Sequence, residues 1–281
     1  MACALNSQSR PSLRVNSMRT TLDEAIRMLN SAGVEAEPSG RSPYGLRLFR
    51  RITLGSVDAY SRGLVEVQDE SSQLAVIAAD PKEGETVLDA CAGAGGKSLM
   101  IAMLMGGRGR IIASDVDSTK LRELSRRASR AGLSMIEILA AKDLCRKAHT
   151  FKGAFDLVFV DAPCTGTGTL RRSPDLKWRL NPEDVRQSVV EQKALLTRYA
   201  DWVRPGGRLV YATCSILRDE NENIVEDFLR SKNYRVIGVG AILARREIDT
   251  KGITAEGGYL ATDPREGEWN GFFAASMQRI E

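Results

Sequence analysis

The chain is almost without histidine. His149, in the polar connector AHTFKG, is the only one in 281 residues. Ser-His and Cys-His catalytic pairs are therefore excluded unless His149 itself supplies the base. A CxxC pair is also missing. The five cysteines (Cys3, Cys91, Cys145, Cys164 and Cys214) are odd in number, which argues against a disulfide framework or a structural zinc. No metal is expected, and a reducing compartment fits: the cytoplasm, or a nucleolus or organelle in a eukaryote. No apolar run approaches the roughly 20 residues that span a bilayer, so no membrane is expected as partner. The opening residues, MACALNSQSRPSLRVN, lack the apolar centre of a signal peptide.

Lysine is absent from residues 1–65, which carry nine arginines against five acids. The whole chain has 40 basic and 36 acidic residues, so its net charge of +4 lies entirely in that first segment. Arginine without lysine suits phosphate recognition, although a merely soluble surface would look the same.

Residues 1–65 read as a small α+β unit. Ser12–Asn16 alternates like a strand. Thr21 to Ala32 reads as a helix, with Thr21 as N-cap, Glu24 at the capping-box position and Gly33 as stop. Short strands are expected at Val34–Ala36, Leu46–Leu48 and Leu64–Val67. Such a unit is too small to be robust alone and should pack on the remainder of the chain.

From Asp69 a helix is expected to Ala79. From Thr86 onward strands alternate with helices, and the chain closes with strands near Tyr234–Val239 and Phe272–Ser276. This pattern predicts an α/β fold with a doubly wound, mostly parallel sheet over residues 66–281. In such sheets ligands sit beyond the carboxyl ends of the strands. Three features fall there. Val87 to Lys97 is a strand, a glycine-rich turn and a helix start. It lacks the first glycine of a P-loop, where Cys91 stands, and its Gly93-Ala94-Gly95-Gly96 order does not match G-x-G-x-x-G. Asp115 ends the next strand, where an acid can hold ribose hydroxyls, and Asp143 follows the one after. An adenosyl ligand fits. Next, the apolar run Leu157–Val160 reads as a buried strand that ends in Asp161-Ala162-Pro163-Cys164. Finally, the strand LVYAT runs into Cys214. Two thiols at the same sheet edge can face one pocket, and Lys97 is the available cation to activate one of them. Beyond Cys164, Arg171, Arg172, Lys177 and Arg179 surround Trp178, as a basic loop would for a nucleic-acid strand with a stacked base.

Together these residues resemble the Sun/Fmu family of RNA cytosine-5 methyltransferases (the Nop2/Sun group). The shared motifs are VQDESSQ at 67–73, LDACAGAGGK at 88–97, ASDVD at 113–117, KD at 142–143, DAPCTGTG at 161–168, RRSPDLKW at 171–178 and LVYATCS at 209–215, with EWNGFF near the end. The resemblance runs from about Ser12 onward. It implies a Rossmann-like methyltransferase domain over 66–281, behind a small basic RNA-binding domain over 1–65. It implies that Cys91, Ala92, Gly93, Ala94, Gly95, Gly96, Lys97, Asp115, Asp143 and Asp161 bind S-adenosyl-L-methionine. Cys214 would be the nucleophile, Cys164 would assist release, and Lys97 and Asp161 would support the target base. Arg171, Arg172, Lys177 and Trp178 would bind RNA. Ala94 stands where the family often has proline, and Asn270 where it usually has aspartate. Many bacterial members also carry a helical domain ahead of the small one.

The expected activity is methyl transfer to C5 of cytosine, in ribosomal RNA rather than transfer RNA, by a monomer. A DNA cytosine methylase would use the Pro-Cys thiol, Cys164, as nucleophile; the Thr-Cys-Ser at Cys214 disfavours it. The loop spacing and single histidine disfavour a nicotinamide-dependent oxidoreductase. A non-catalytic RNA-binding assembly factor would have no need of both thiols, Lys97 and the three acids.

Overall fold

The computed structural model describes residues 2–7 and 9–280. Four strands form a first sheet: β1 Ser12–Val15, β2 Ala36–Pro38, β3 Gly45–Leu48 and β4 Val65–Val67. Their order is β2-β3-β1-β4, all antiparallel. The helix Leu22–Ser31 joins β1 to β2 and covers one face with Ala25 and Leu29. Thr21 caps it by accepting from the Glu24 N–H at 3.3 Å. The expected return bond goes elsewhere: the Glu24 carboxylate accepts from the Thr20 hydroxyl at 2.9 Å. The second strand lies two residues later than expected. Its register, Ala36 opposite Leu48, is set by pairing with β3 and not by local alternation.

A second sheet has nine strands: β5 Thr86–Asp89, β6 Arg110–Asp115, β7 Ile136–Ala140, β8 Phe155–Asp161, β9 Val203–Thr213, β10 Tyr234–Ile237, β11 Thr254–Ala255, β12 Tyr259–Thr262 and β13 Phe272–Arg279. The order is β11-β12-β13-β9-β8-β5-β6-β7, with β10 also paired to β13. β7, β6, β5, β8 and β9 are mutually parallel. β13 runs antiparallel to β9, and β10 and β12 antiparallel to β13. The sheet is therefore doubly wound and mostly parallel, as the alternation predicts, with an antiparallel end.

The β8 side chains alternate between two cores. Leu157 and Phe159 pack with helices Glu70–Ala79 and Gly96–Leu104. Val158 and Val160 pack on the opposite face with helices Pro182–Ala200 and Glu222–Ser231. A strand buried on both faces has no polar face to show, hence its continuous apolar run. Phe159 is fully buried, and truncation of such a side chain to alanine costs about 3–5 kcal/mol. The long helix starts where its proline predicts: Asn181 and Asp184 form a capping box around Pro182.

The segment VQDESSQ is the joint between the two sheets. All ten residues of helix Glu70–Ala79 are buried, and its polar ones are spent on the first sheet and the chain's end. Glu70 accepts from the Arg41 and Ser42 N–H groups at 2.6 and 3.0 Å. Gln73 donates to the Leu13 carbonyl at 3.1 Å, and Ser71 to the Asn270 carbonyl at 2.9 Å. The small unit thus packs on the large one, as its size requires. Among the described residues no helix is long and apolar enough to cross a membrane. Nor does any group of three His, Cys, Asp or Glu there suit a metal ion.

Candidate active site

Register brings the chemistry to one edge. Asp89 lies beside Phe159, Asp115 beside Ala140, and Asp161 beside Ala212. Neighbouring parallel strands therefore end together, and the loops after β5, β6, β8 and β9 share one rim. The order of strands reverses between β5 and β8, where a doubly wound sheet opens its crevice.

The glycine turn after β5 is shaped by packing on one side and left open on the other. Gly95 has φ +86°, and a Cβ there would come within 2.5 Å of Leu124 Cγ. By contrast, a Cβ at Gly93 or Gly96 would meet nothing within 4 Å, as a cradle facing a ligand requires. Asp115 holds the turn by accepting from the Gly93 N–H at 2.8 Å and the Asp117 N–H at 2.9 Å. Ala94, where proline is usual, offers its carbonyl to Arg127 at 2.8 Å. Asp143 sits in the first turn of helix Ala141–Arg146, half-exposed and 3.1 Å from Arg146. Cys91 is half-buried in the turn, and desolvation pushes its thiol up. Asp89 is wholly buried beneath it. Burial raises this carboxyl to about 7, against a bond from Ser98 Oγ at 2.6 Å.

Cys164 Sγ and Cys214 Sγ lie 3.4 Å apart, from positions 50 residues distant in the chain. Sulfur positions alone do not say which is the donor. The charges around the two sulfurs are unequal. Cys164 is held well above the ordinary thiol range, by its hydrogen bond to Cys214, by burial and by the charge on Cys214, with Glu220 adding to the effect. Cys214 is lowered by the bond from Cys164, with Lys97 helping against burial and Asp161. Both shifts favour negative charge on Cys214 over Cys164, with Lys97 on the Cys214 side. Burial opposes charge on Lys97, yet Asp161, at 2.6 Å, raises its ammonium overall. Lys97 Nζ also lies 5.3 Å from the Phe272 ring centroid.

Sequence reasoning missed the supports. Glu220, which is fully buried, accepts from the Thr165 N–H at 2.8 Å and also bonds the Ser215 hydroxyl. Gln192, from the long helix, donates to the Pro163 carbonyl at 2.9 Å. Gly168 donates to the Cys214 carbonyl and accepts from Gly271, each at 2.9 Å. A Cβ at Gly168 would stand 2.1 Å from the Gly271 oxygen, so the two thiol turns and the chain's last strand admit only glycine there. Asn270 donates to Asp69; an aspartate in its place would set two carboxylates together. Only the glycine run hinted at this packing.

The basic loop divides. Trp178 is 83% exposed, with Lys177 over its ring at 5.4 Å. Arg172 lies 3.7 Å from Asp69. Arg171, expected on RNA, instead bonds the carbonyls of Ala4, Pro264, Gly267 and Trp269. That guanidinium ties down the chain's closing segment. A cavity of about 380 Å³ lies between the first sheet and this loop, lined by Arg10, Arg51 and Arg172 over Leu13, Leu48 and Val67.

This chain matches the family model described as 16S rRNA methyltransferase RsmB/F over residues 76–278. The chain belongs to the RsmB/F methyltransferase family. Residues 1–54 match the ferredoxin-like domain of RsmF/B-like proteins, in keeping with the β2-β3-β1-β4 sheet. Among RsmB/F relatives, the probable ribosomal RNA small subunit methyltransferase B of Bacillus subtilis is 36% identical over 79% of this chain and 49% of its own. The 28S rRNA (cytosine-C(5))-methyltransferase of Mus musculus is 35% identical over 84% of this chain and 30% of its own. The chain thus spans half or less of the length of these curated relatives. The crystal structure of a methyltransferase homolog protein from Pyrococcus horikoshii superposes with a TM-score of 0.83 at 27% identity, covering 99% of this chain and 89% of the other.

Proposed function

We propose that this RsmB/F chain is an RNA cytosine-C5 methyltransferase that uses S-adenosylmethionine and acts on ribosomal RNA. The observation that carries the reading is the pair Cys164 and Cys214 at 3.4 Å, beside the Lys97–Asp161 ion pair at 2.6 Å. The names of the two curated relatives favour ribosomal over transfer RNA as substrate. Residues 1–65 would serve as the RNA-binding domain and 66–281 as the catalytic one. The cavity between the first sheet and the basic loop offers apolar walls and the guanidinium groups of Arg10, Arg51 and Arg172 to a strand, and Lys177 and the exposed Trp178 follow in the same basic loop. Arg171 takes the structural role its bonds describe.

The rim fits the cofactor. The open faces of Gly93 and Gly96, with the N-terminus of helix Gly96–Leu104, can hold a carboxylate. Asp115 and Asp143 can take ribose hydroxyls and adenine, and the acidic edge suits a cation. When bound there, S-adenosylmethionine supplies an electrophilic methyl on a sulfonium.

C5 of cytosine is a weak nucleophile. Addition of the Cys214 thiolate to C6 makes C5 enamine-like and able to take a methyl group, so one hard step becomes two easier ones. Lys97 and Asp161 hold the base at the rim. Once Cys214 sulfur is bonded to carbon its charge is gone, and with it two of the causes that keep Cys164 protonated. Cys164 can then lose its proton to solvent; its thiolate takes the C5 proton, and the electron pair of the C5–H bond forms the C5–C6 double bond as Cys214 leaves C6 as a thiolate, releasing the product.

The test is methyl transfer from labelled S-adenosylmethionine to ribosomal and transfer RNA. Cys214→Ala is expected to abolish transfer and covalent complex alike. Cys164→Ala is expected to accumulate a protein–RNA adduct. Full activity in Cys214→Ala, with adduct lost in Cys164→Ala, would reverse the two roles.

A further inference from the structure

The two thiol turns share a carboxylate that has no counter-ion among the described residues. Glu220 lies in the short 3-10 turn Arg218–Glu220 and is fully buried. Its Oε1 accepts from the Thr165 N–H at 2.8 Å and from Gln192 Nε2 at 3.1 Å. Its Oε2 accepts from the hydroxyls of Thr165 and Ser215. All four donors are uncharged. Thr165 directly follows Cys164, and Ser215 directly follows Cys214. One side chain therefore grips the residue after each thiol.

Burying a carboxylate without a cation is costly, and a fold keeps one only where the hydrogen bonds and the position repay it. A carboxylate accepts at both oxygens, whereas an amide accepts at one. Only an acid can take all four donors as they stand. The site is also charged unequally. Facing the thiols are Lys97 from helix Gly96–Leu104, Asp161 and Tyr211 from β8 and β9, and Glu220 from its turn; the long helix contributes uncharged Gln192. Lys97 acts on Cys214, and Glu220 on Cys164.

We propose that Glu220 is a positioning residue that staples the Cys164 and Cys214 turns at one spacing and biases negative charge onto Cys214. Its effect on catalysis rests on the function proposed above, but its effect on the thiols is readable without RNA.

The test uses the full chain with Glu220→Gln and Glu220→Ala. Iodoacetamide alkylation of each cysteine is followed by peptide mass spectrometry from neutral to alkaline pH. In the wild type Cys214 should react at lower pH than Cys164. Glu220→Gln can keep both N–H bonds at its oxygen while the two hydroxyls rotate to accept from its amide. The spacing survives and the charge is lost, so Cys164 should react roughly tenfold faster at neutral pH, a shift of about one pKa unit. Glu220→Ala loses the staple as well; Cys214 should lose its low-pH reactivity, and single-turnover methyl transfer should fall at least tenfold.

Unchanged profiles for both thiols in Glu220→Gln would overturn the proposal, and that variant decides alone if Glu220→Ala does not fold. If the profiles shift while the wild type methylates no RNA, the staple stands and the proposed function falls. If the wild type methylates RNA and the profiles do not move, the staple falls alone.

Discussion

Lys97 and Asp161 come from different strand-loop units and meet at 2.6 Å, at the rim that holds the thiols of Cys164 and Cys214. The ion pair keeps Lys97 charged despite burial. It also limits how far Asp161, which acts against ionisation of Cys214, can do so.

Replacing Lys97 by methionine should therefore raise the Cys214 thiol. Its alkylation profile should move to higher pH, and methyl transfer should fall about 100-fold or more, the scale of a lost group in acid–base and nucleophile activation. A Cys214 profile that stays in place would show that Lys97 does not tune it.

The two cofactor acids should differ in weight. Asp115 both supports the turn, through Gly93 at 2.8 Å, and lies on the open rim. Asp115→Ala should weaken S-adenosylmethionine binding by about 10- to 100-fold, as loss of a hydrogen bond to a charged group does. Asp143 is half-exposed and shared with Arg146, so Asp143→Ala should cost only a few-fold. Calorimetric titration of the ligand into each variant measures both, and equal losses would contradict this ranking.

Glu66 pins the first sheet to the second unit. It is buried, pairs with Arg127 at 2.9 Å and also with Arg130, both on helix Ser118–Ala131. Beside it Arg14 is fully buried, and burial lowers that guanidinium to about 10. Glu66→Ala should destabilise by about 3 kcal/mol, since it leaves the buried Arg14 and the half-buried Arg127 and Arg130 without their acid. Urea unfolding of the whole chain checks this; a loss under about 1 kcal/mol would mean that the other bonds across the joint hold it without Glu66.

Asp89 should make stability fall as pH rises. Its carboxyl is raised to about 7 by burial, from an ordinary value near 3.8. Below 3.8 both folded and unfolded forms hold the proton, and the stabilising difference is complete. Between 3.8 and about 7 only the folded form holds it, so the contribution is lost as pH climbs through that window. Asp89→Asn cannot titrate. The difference between wild-type and variant unfolding free energies should slope downward across the window and flatten above it; a flat difference throughout would refute the assignment.

Sequence alone carried the features that depend on near neighbours. The helix Ser118–Ala131 begins and ends on local signals, its N-cap Asp117 and its left-handed stop Gly132. β8 was legible from one apolar run, and the edge position of Asp115, Asp161, Cys164 and Cys214 came from strand-then-loop order. The cysteine and glycine motifs carried the family. The features that remained hidden depend on partners far away in the chain. The spacing of the two thiols, the hold of Glu220 on Thr165 and the recruitment of Arg171 by the closing segment join residues from 50 to 98 positions apart. β10 to β13 fold back antiparallel because β9 presents a free edge, which no periodicity within those strands records. A buried acid and a solvated acid look alike in a sequence. Tertiary packing alone decided that Glu220 would lose its water and take four donors in exchange, and that Lys97 would answer to Asp161.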